Sequence, residues 1–157
     1  RSFHGTYLSC SDYPDEGFVM ASHAGRKETY SMEVFARRAT DSDPLASRTA
    51  ACFVCRNSGM YLTANANGTL TQTVTMETKF DLEPRSRGRY SLRSAQETDA
   101  GDPLYLYLAA SEPTRRAELI QGPVLDEWAY FVLDRGLSRG QFALESAHGA
   151  FMLPSSG

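Results

Sequence analysis

Lysine is almost missing from this chain. Lys27 and Lys79 are the two present, and every other basic residue is an arginine. Acids outnumber bases, for a formal net charge of −3 over 157 residues. Such a balance recruits neither nucleic acid nor an anionic membrane through its overall field. The arginine bias has a compositional origin as readily as a chemical one, because bidentate geometry matters at few positions. Long apolar runs are absent as well. No segment reaches the roughly 18 residues that read as a membrane span, so no membrane association is expected. Cysteine is scarce: Cys10, Cys52 and Cys55. An odd number without regular spacing argues against a disulfide framework and for a reducing compartment. A cytoplasmic location is the corresponding expectation.

Catalytic signatures are missing too. There is no Gly-x-Ser-x-Gly elbow, no phosphate-binding loop and no dinucleotide fingerprint. The expectation is that the chain is not an enzyme and takes no cofactor. Cys52-Phe53-Val54-Cys55 has the spacing of zinc and redox sites, but no second pair accompanies it. Residues i and i+3 of a strand point to opposite faces, so the two sulfurs should diverge. The acidic segments Asp12–Glu16 and Glu97–Asp102 lack the regular oxygen ladder of a calcium loop. No metal is expected.

Helical periodicity is also poor, and short alternating apolar runs take its place. Strands are predicted at Thr6–Cys10, Gly17–Ala21 and Tyr30–Ala36. Others follow at Ala51–Arg56, Met60–Ala64, Thr69–Val74 and Lys79–Glu83. A third set covers Arg89–Ser94, Leu104–Ala109, Ala117–Gln121 and Trp128–Leu133. Gln141–Glu145 and Ala150–Leu153 complete the series. Turn chemistry marks most joints: Ser58-Gly59, Asn67-Gly68, Asp134-Arg135-Gly136 and His148-Gly149.

One phrase recurs. Phe3-His4-Gly5-Thr6-Tyr7-Leu8 returns as Phe53 to Leu62, ending Ser58-Gly59-Met60-Tyr61-Leu62. It returns again as Tyr90-Ser91-Leu92-Arg93-Ser94-Ala95, and last as Phe142 to Met152. Self-similarity at this spacing decides the fold. The strands fall in fours, and Met32-Glu33-Val34-Phe35, Phe80-Asp81-Leu82-Glu83 and Tyr130-Phe131-Val132-Leu133 each close a group. The pattern predicts an all-β, single-domain β-trefoil over residues 1–157: three four-stranded units forming a six-stranded barrel capped by hairpins. The first group lacks its opening strand. Either Gln141–Glu145 supplies it and closes the barrel beside Thr6–Cys10, or the end of the chain begins a further unit of a longer, tandem protein. The start at Arg1 fits a trimmed or processed product. Tyr7, Leu8, Phe35, Tyr61, Leu62, Phe80, Tyr105, Leu106 and Phe131 are the expected core, each large one worth about 3–5 kcal/mol on truncation.

Cys55-Arg56-Asn57-Ser58-Gly59-Met60-Tyr61-Leu62 followed by Asn67-Gly68 resembles the fascin-like β-trefoil family. Arg89-Tyr90-Ser91-Leu92-Arg93-Ser94 and Gln141-Phe142-Ala143-Leu144-Glu145-Ser146 are similar to that family's strand with an aromatic, a leucine and a serine at alternate positions. The fibroblast growth factors and interleukin-type cytokines share the skeleton. The resemblance implies a non-enzymatic protein-interaction module, cytoskeletal and actin-associated, monomeric in isolation. The alternatives are a secreted growth-factor or cytokine-like ligand, or a carbohydrate-binding trefoil. The single Trp128 lacks the Gln-x-Trp setting of ricin-type lectins.

For a binding surface, Arg85, Arg87, Arg89 and Arg93 form the densest positive cluster, suited to an acidic protein face or a sulfate or phosphate group. Asp81 and Glu83 dilute its field. His4, His23 and His148 are polar turn residues. Asn67-Gly68-Thr69 is a glycosylation sequon, and a tight hairpin explains it as well. Arg37–Thr49 reads as a surface loop and Gln96–Asp102 as an enlarged hairpin turn, the kind of segment where such folds vary and often bind.

Overall fold

The alternating runs become twelve antiparallel strands in a computed structural model that describes residues 6–36, 49–110, 116–122, 127–135 and 141–146. They are β1 (Tyr7–Cys10), β2 (Phe18–Ala21), β3 (Thr29–Ala36), β4 (Thr49–Cys55), β5 (Tyr61–Ala64) and β6 (Leu70–Thr73). The second half holds β7 (Phe80–Pro84), β8 (Tyr90–Glu97), β9 (Pro103–Ala109), β10 (Glu118–Gln121), β11 (Phe131–Arg135) and β12 (Gln141–Ser146). No α-helix occurs among the described residues; four single 3₁₀ turns lie between strands. Ala150–Leu153, His4, His148 and positions 37–48 lie outside the described residues.

The pairings return on themselves. β3 pairs β4, β4 pairs β7, β7 pairs β8, β8 meets β11, β11 pairs β12, and β12 pairs β3. The sheet is therefore barrel-like and nearly closed: β8 and β11 share the single registered pair Tyr90–Phe131. Three hairpins stand off this ring, β1–β2, β5–β6 and β9–β10, attached through β12, β4 and β8. β12 lies beside β1 at the Tyr7–Glu145 pair. Near-closure leaves few edges open to pairing with another chain.

Strand alternation decides which large residues enter the core. Leu8, Leu62, Leu106, Phe80 and Phe131 are buried in one cluster with Phe18, Tyr30, Phe53, Leu92 and Leu108. Tyr7, Tyr61, Tyr105 and Phe35 are only half-buried. In each Tyr-Leu pair successive side chains leave opposite faces, so the leucine takes the inside and the tyrosine does not. Sequence reading had assigned both to the core.

Three further expectations change. Cys10 and Cys55 are joined in a disulfide across a sequence separation of 45, tying the end of β1 to the end of β4. Parity of cysteines could not reveal this, because the third thiol, Cys52, is buried and unbonded. The divergence of Cys52 from Cys55 does hold. The segment from Trp128 begins as a 3₁₀ turn, Glu127–Ala129, closed by Tyr130 N–H to Glu127 O at 3.0 Å, and the strand starts at Phe131. At Asn67-Gly68, glycine alone takes positive φ, at 89°. The loop 65–69 is closed by Asn65 N to Thr69 O (2.9 Å) and Gly68 N to Asn65 O (3.0 Å). Thr98 to Asp102 repeats that arrangement at 2.9 and 2.8 Å, so Gln96–Asp102 is, as expected, an enlarged hairpin turn, here with a tight end.

Candidate functional site

The arginine cluster occupies the joint between β7 and β8. These strands register Asp81 with Arg93, Leu82 with Leu92, Glu83 with Ser91 and Pro84 with Tyr90. Arg85 N–H to Arg89 O (2.7 Å) closes the connection, and Ser86–Gly88 fills it as one 3₁₀ turn. Directly opposed residues of an antiparallel pair share a face, which brings acid and base together here.

Arg93 is 1% exposed, and its guanidinium meets the equally buried Asp81 carboxylate. Its Nε stands 3.4 Å from Glu83 Oε1, and its guanidinium carbon lies 4.4 Å from the Tyr105 ring centroid. Arg85 donates from Nη2 to Glu83 Oε2 at 3.1 Å and from Nε to Ser91 Oγ at 2.9 Å. Arg89, also buried, donates to Ser86 O and Ser86 Oγ, each at 2.9 Å, and pairs with Glu127 Oε1 at 3.0 Å. The Tyr107 hydroxyl reaches both Glu83 oxygens at 3.0 Å. Burial, then the Glu83 charge, push the Tyr107 phenol up to about 12.

Three of the four arginines are thus engaged with carboxylates, and only Arg87 is an exposed side chain. Arg87 sits at φ 63°, ψ 35°. It is the one non-glycine residue at positive φ among the described residues. A left-handed arginine carries a steric cost of about 1–2 kcal/mol. Arg93 is deep in the sheet, so it braces the joint from inside.

Sequence reading missed the aromatic side of this surface. Tyr130 lies under two guanidinium groups, 5.2 Å from Arg85 and 5.0 Å from Arg89. Glu127 and Tyr130 both touch the arginine joint, and Trp128 stands between them on the 3₁₀ turn with 44% of its surface exposed. Glu127–Arg89 was not readable, since 38 residues separate the two. Asp81 and Arg93 are 12 residues apart across one short hairpin, and their pairing follows once the register is known.

Elsewhere the surface is less promising. A polar groove of about 850 Å³ is lined by Phe35, Thr63, Thr78, Lys79 and Gln96 among others. Its polar atoms are largely taken: Thr63 bonds Thr73 (2.6 Å), Thr78 Oγ1 accepts from Ala64 N (3.0 Å), and Gln96 Nε2 donates to Ala64 O (2.9 Å). Among the described residues that line it, Glu77 is the one carboxylate and none is a histidine or cysteine. Among the described residues no group of three or more His, Cys, Asp or Glu side chains is placed to hold a metal. Asp12 is occupied by Lys27 (2.8 Å) and Asn57 (3.1 Å), and the Lys27 hydrogen bond lowers its pKa. Burial raises the Cys52 thiol, and the Glu33 charge adds to it. That keeps it protonated and unreactive. No helix among the described residues is long and apolar enough to cross a membrane.

No known protein-family profile matches this chain, and no curated protein is detectably similar to it.

Proposed function

We propose that the chain is a β-trefoil and acts as a non-enzymatic protein-interaction module. The trefoil reading is supported by the six-strand circuit with three attached hairpins and by the place of β12 as the first unit's opening strand. The observation that carries the functional reading is the surface of Trp128, Tyr130 and Arg87 built on the β7–β8 joint. Tryptophan, tyrosine and arginine are the residues that dominate binding energy at protein interfaces. Here Arg85 and Arg89 hold Tyr130 in place, Arg93 braces the strands beneath, and Arg87 and Trp128 meet the partner.

The partner's setting is a separate matter. The fascin-like resemblance implies a cytoplasmic, actin-associated role. The Cys10–Cys55 disulfide favours the second reading, an extracellular receptor ligand, because disulfides persist in oxidising compartments.

Cross-linking and affinity capture of the whole chain, compared with Trp128→Ala and Arg87→Glu, tests the surface. Both variants should fold as well as the parent and lose the same partner. Undiminished capture by the folded double variant would refute the assignment. Pelleting with actin filaments at physiological salt would restore the cytoskeletal reading, and selective binding on a glycan array would favour the carbohydrate alternative.

A further inference from the structure

We infer that Asn67 is an acceptor for an N-linked glycan. The chain has three asparagines, and only Asn67 has a hydroxyl residue two positions on. Asn-x-Ser/Thr is the acceptor motif of secretory glycosylation, and it belongs on exposed loops. Asn67 is exposed at the tip of the β5–β6 hairpin. Its Oδ1 accepts from Thr69 N (3.1 Å) and from Thr69 Oγ1 (2.6 Å). Its Nδ2 makes no hydrogen bond among the described residues. The nitrogen that would carry the sugar therefore faces solvent, while the motif's own hydroxyl holds the amide oxygen.

The surroundings leave room. Gly68 is the residue turned toward the neighbouring hairpin: Leu119 N donates to Gly68 O at 3.1 Å, and a Cβ on Gly68 would lie 3.6 Å from Leu119 O. Asn67 and Thr69, on either side, are both exposed. The hairpin lies outside the strand circuit, so a bulky group there disturbs no barrel pairing. The Cys10–Cys55 disulfide is the second, independent observation, because it places the folded chain in the oxidising route where this modification occurs. The inference shares that compartment argument with the functional reading and does not depend on the Trp128 surface.

In the reaction Nδ2 attacks the anomeric carbon of a lipid-diphosphate-linked oligosaccharide supplied by the secretory transferase. A carbon–nitrogen bond forms, and the carbon–oxygen bond to the diphosphate breaks. The lipid diphosphate leaves with the electron pair, and the amide nitrogen gives up one proton to a base of the transferase.

The test is to express the whole chain through the secretory route of cultured animal cells, behind a cleavable leader. Intact mass, and peptide mapping after peptide-N-glycosidase digestion in ¹⁸O-water, are then measured. Secreted protein should carry one glycan, digestion should convert Asn67 to ¹⁸O-labelled aspartate, and Cys10–Cys55 should be found oxidised in the same map. Asn67→Asp keeps the oxygen that receives Thr69 and should abolish the glycan at an unchanged melting temperature. Thr69→Ser should keep it. Secreted, disulfide-bonded protein with unmodified Asn67 would overturn the inference, and so would a glycan that survives Asn67→Asp or a secreted chain with Cys10 and Cys55 reduced. Undiminished partner capture by the folded Trp128→Ala, Arg87→Glu variant with the glycan intact would count against the interaction surface alone.

Discussion

Arg87 holds a backbone conformation that its side chain disfavours. Glycine adopts it without that penalty, so Arg87→Gly should stabilise the fold by about 0.5–1 kcal/mol in chemical denaturation. The same change should weaken partner binding. A residue whose removal raises stability and lowers binding is serving the surface, whereas a loss of both would mark it as structural. Tyr107 supplies a second residue-level outcome. Its phenol titrates at about 12 in the fold, against about 10 in an unfolded chain. A folded pKa above the unfolded one gives stability that is whole below pH about 10 and is lost as pH rises towards about 12. Burial raises Tyr30 as well, with Glu28 adding to it. Urea unfolding across that window should show a shallower decline for Tyr107→Phe than for the parent, the remaining slope belonging in part to Tyr30. Equal slopes would mean that Tyr107 is not held buried beside Glu83 in solution.

Among the described elements, the disulfide is the one covalent cross-link. It joins β1 to β4, and so links the first hairpin to the second group of strands. A closed loop of about 45 residues corresponds to roughly 4 kcal/mol of lost chain entropy in the unfolded state. Replacing Cys10 and Cys55 by alanine together should lower stability by an amount on that order, and reduction should act similarly. Strand positions and turn glycines were readable in the sequence because alternation and Gly pairs act locally. What escaped was decided at a distance. Which member of each Tyr-Leu pair faces inward depends on the neighbouring strand, the Cys10–Cys55 partnership on two ends meeting in space, and the cation–ring contacts of Tyr130 on arginines about forty positions away. The arginine cluster was visible as composition, but its division into buried braces and the exposed Arg87 needed the register of β7 with β8.

For the molecule as a whole, closure depends on one late strand. β12 pairs with β11, β3 and β1. A chain ending before Gln141 would leave all three with open edges. It should unfold without a cooperative transition in calorimetry, where the full chain should show one; a sharp transition in the shortened chain would show that the circuit is dispensable. The same connection bears on synthesis. While the chain emerges from the ribosome, β1 and β3 must wait for a segment that is made after every other described strand. β2 and β4 can pair with them earlier, but the edges they give to β12 stay open until then, and unpaired strand edges in incomplete chains attract one another. The circuit therefore closes only once β12 has been made, and yield in any host should follow the protection those open edges receive in that interval.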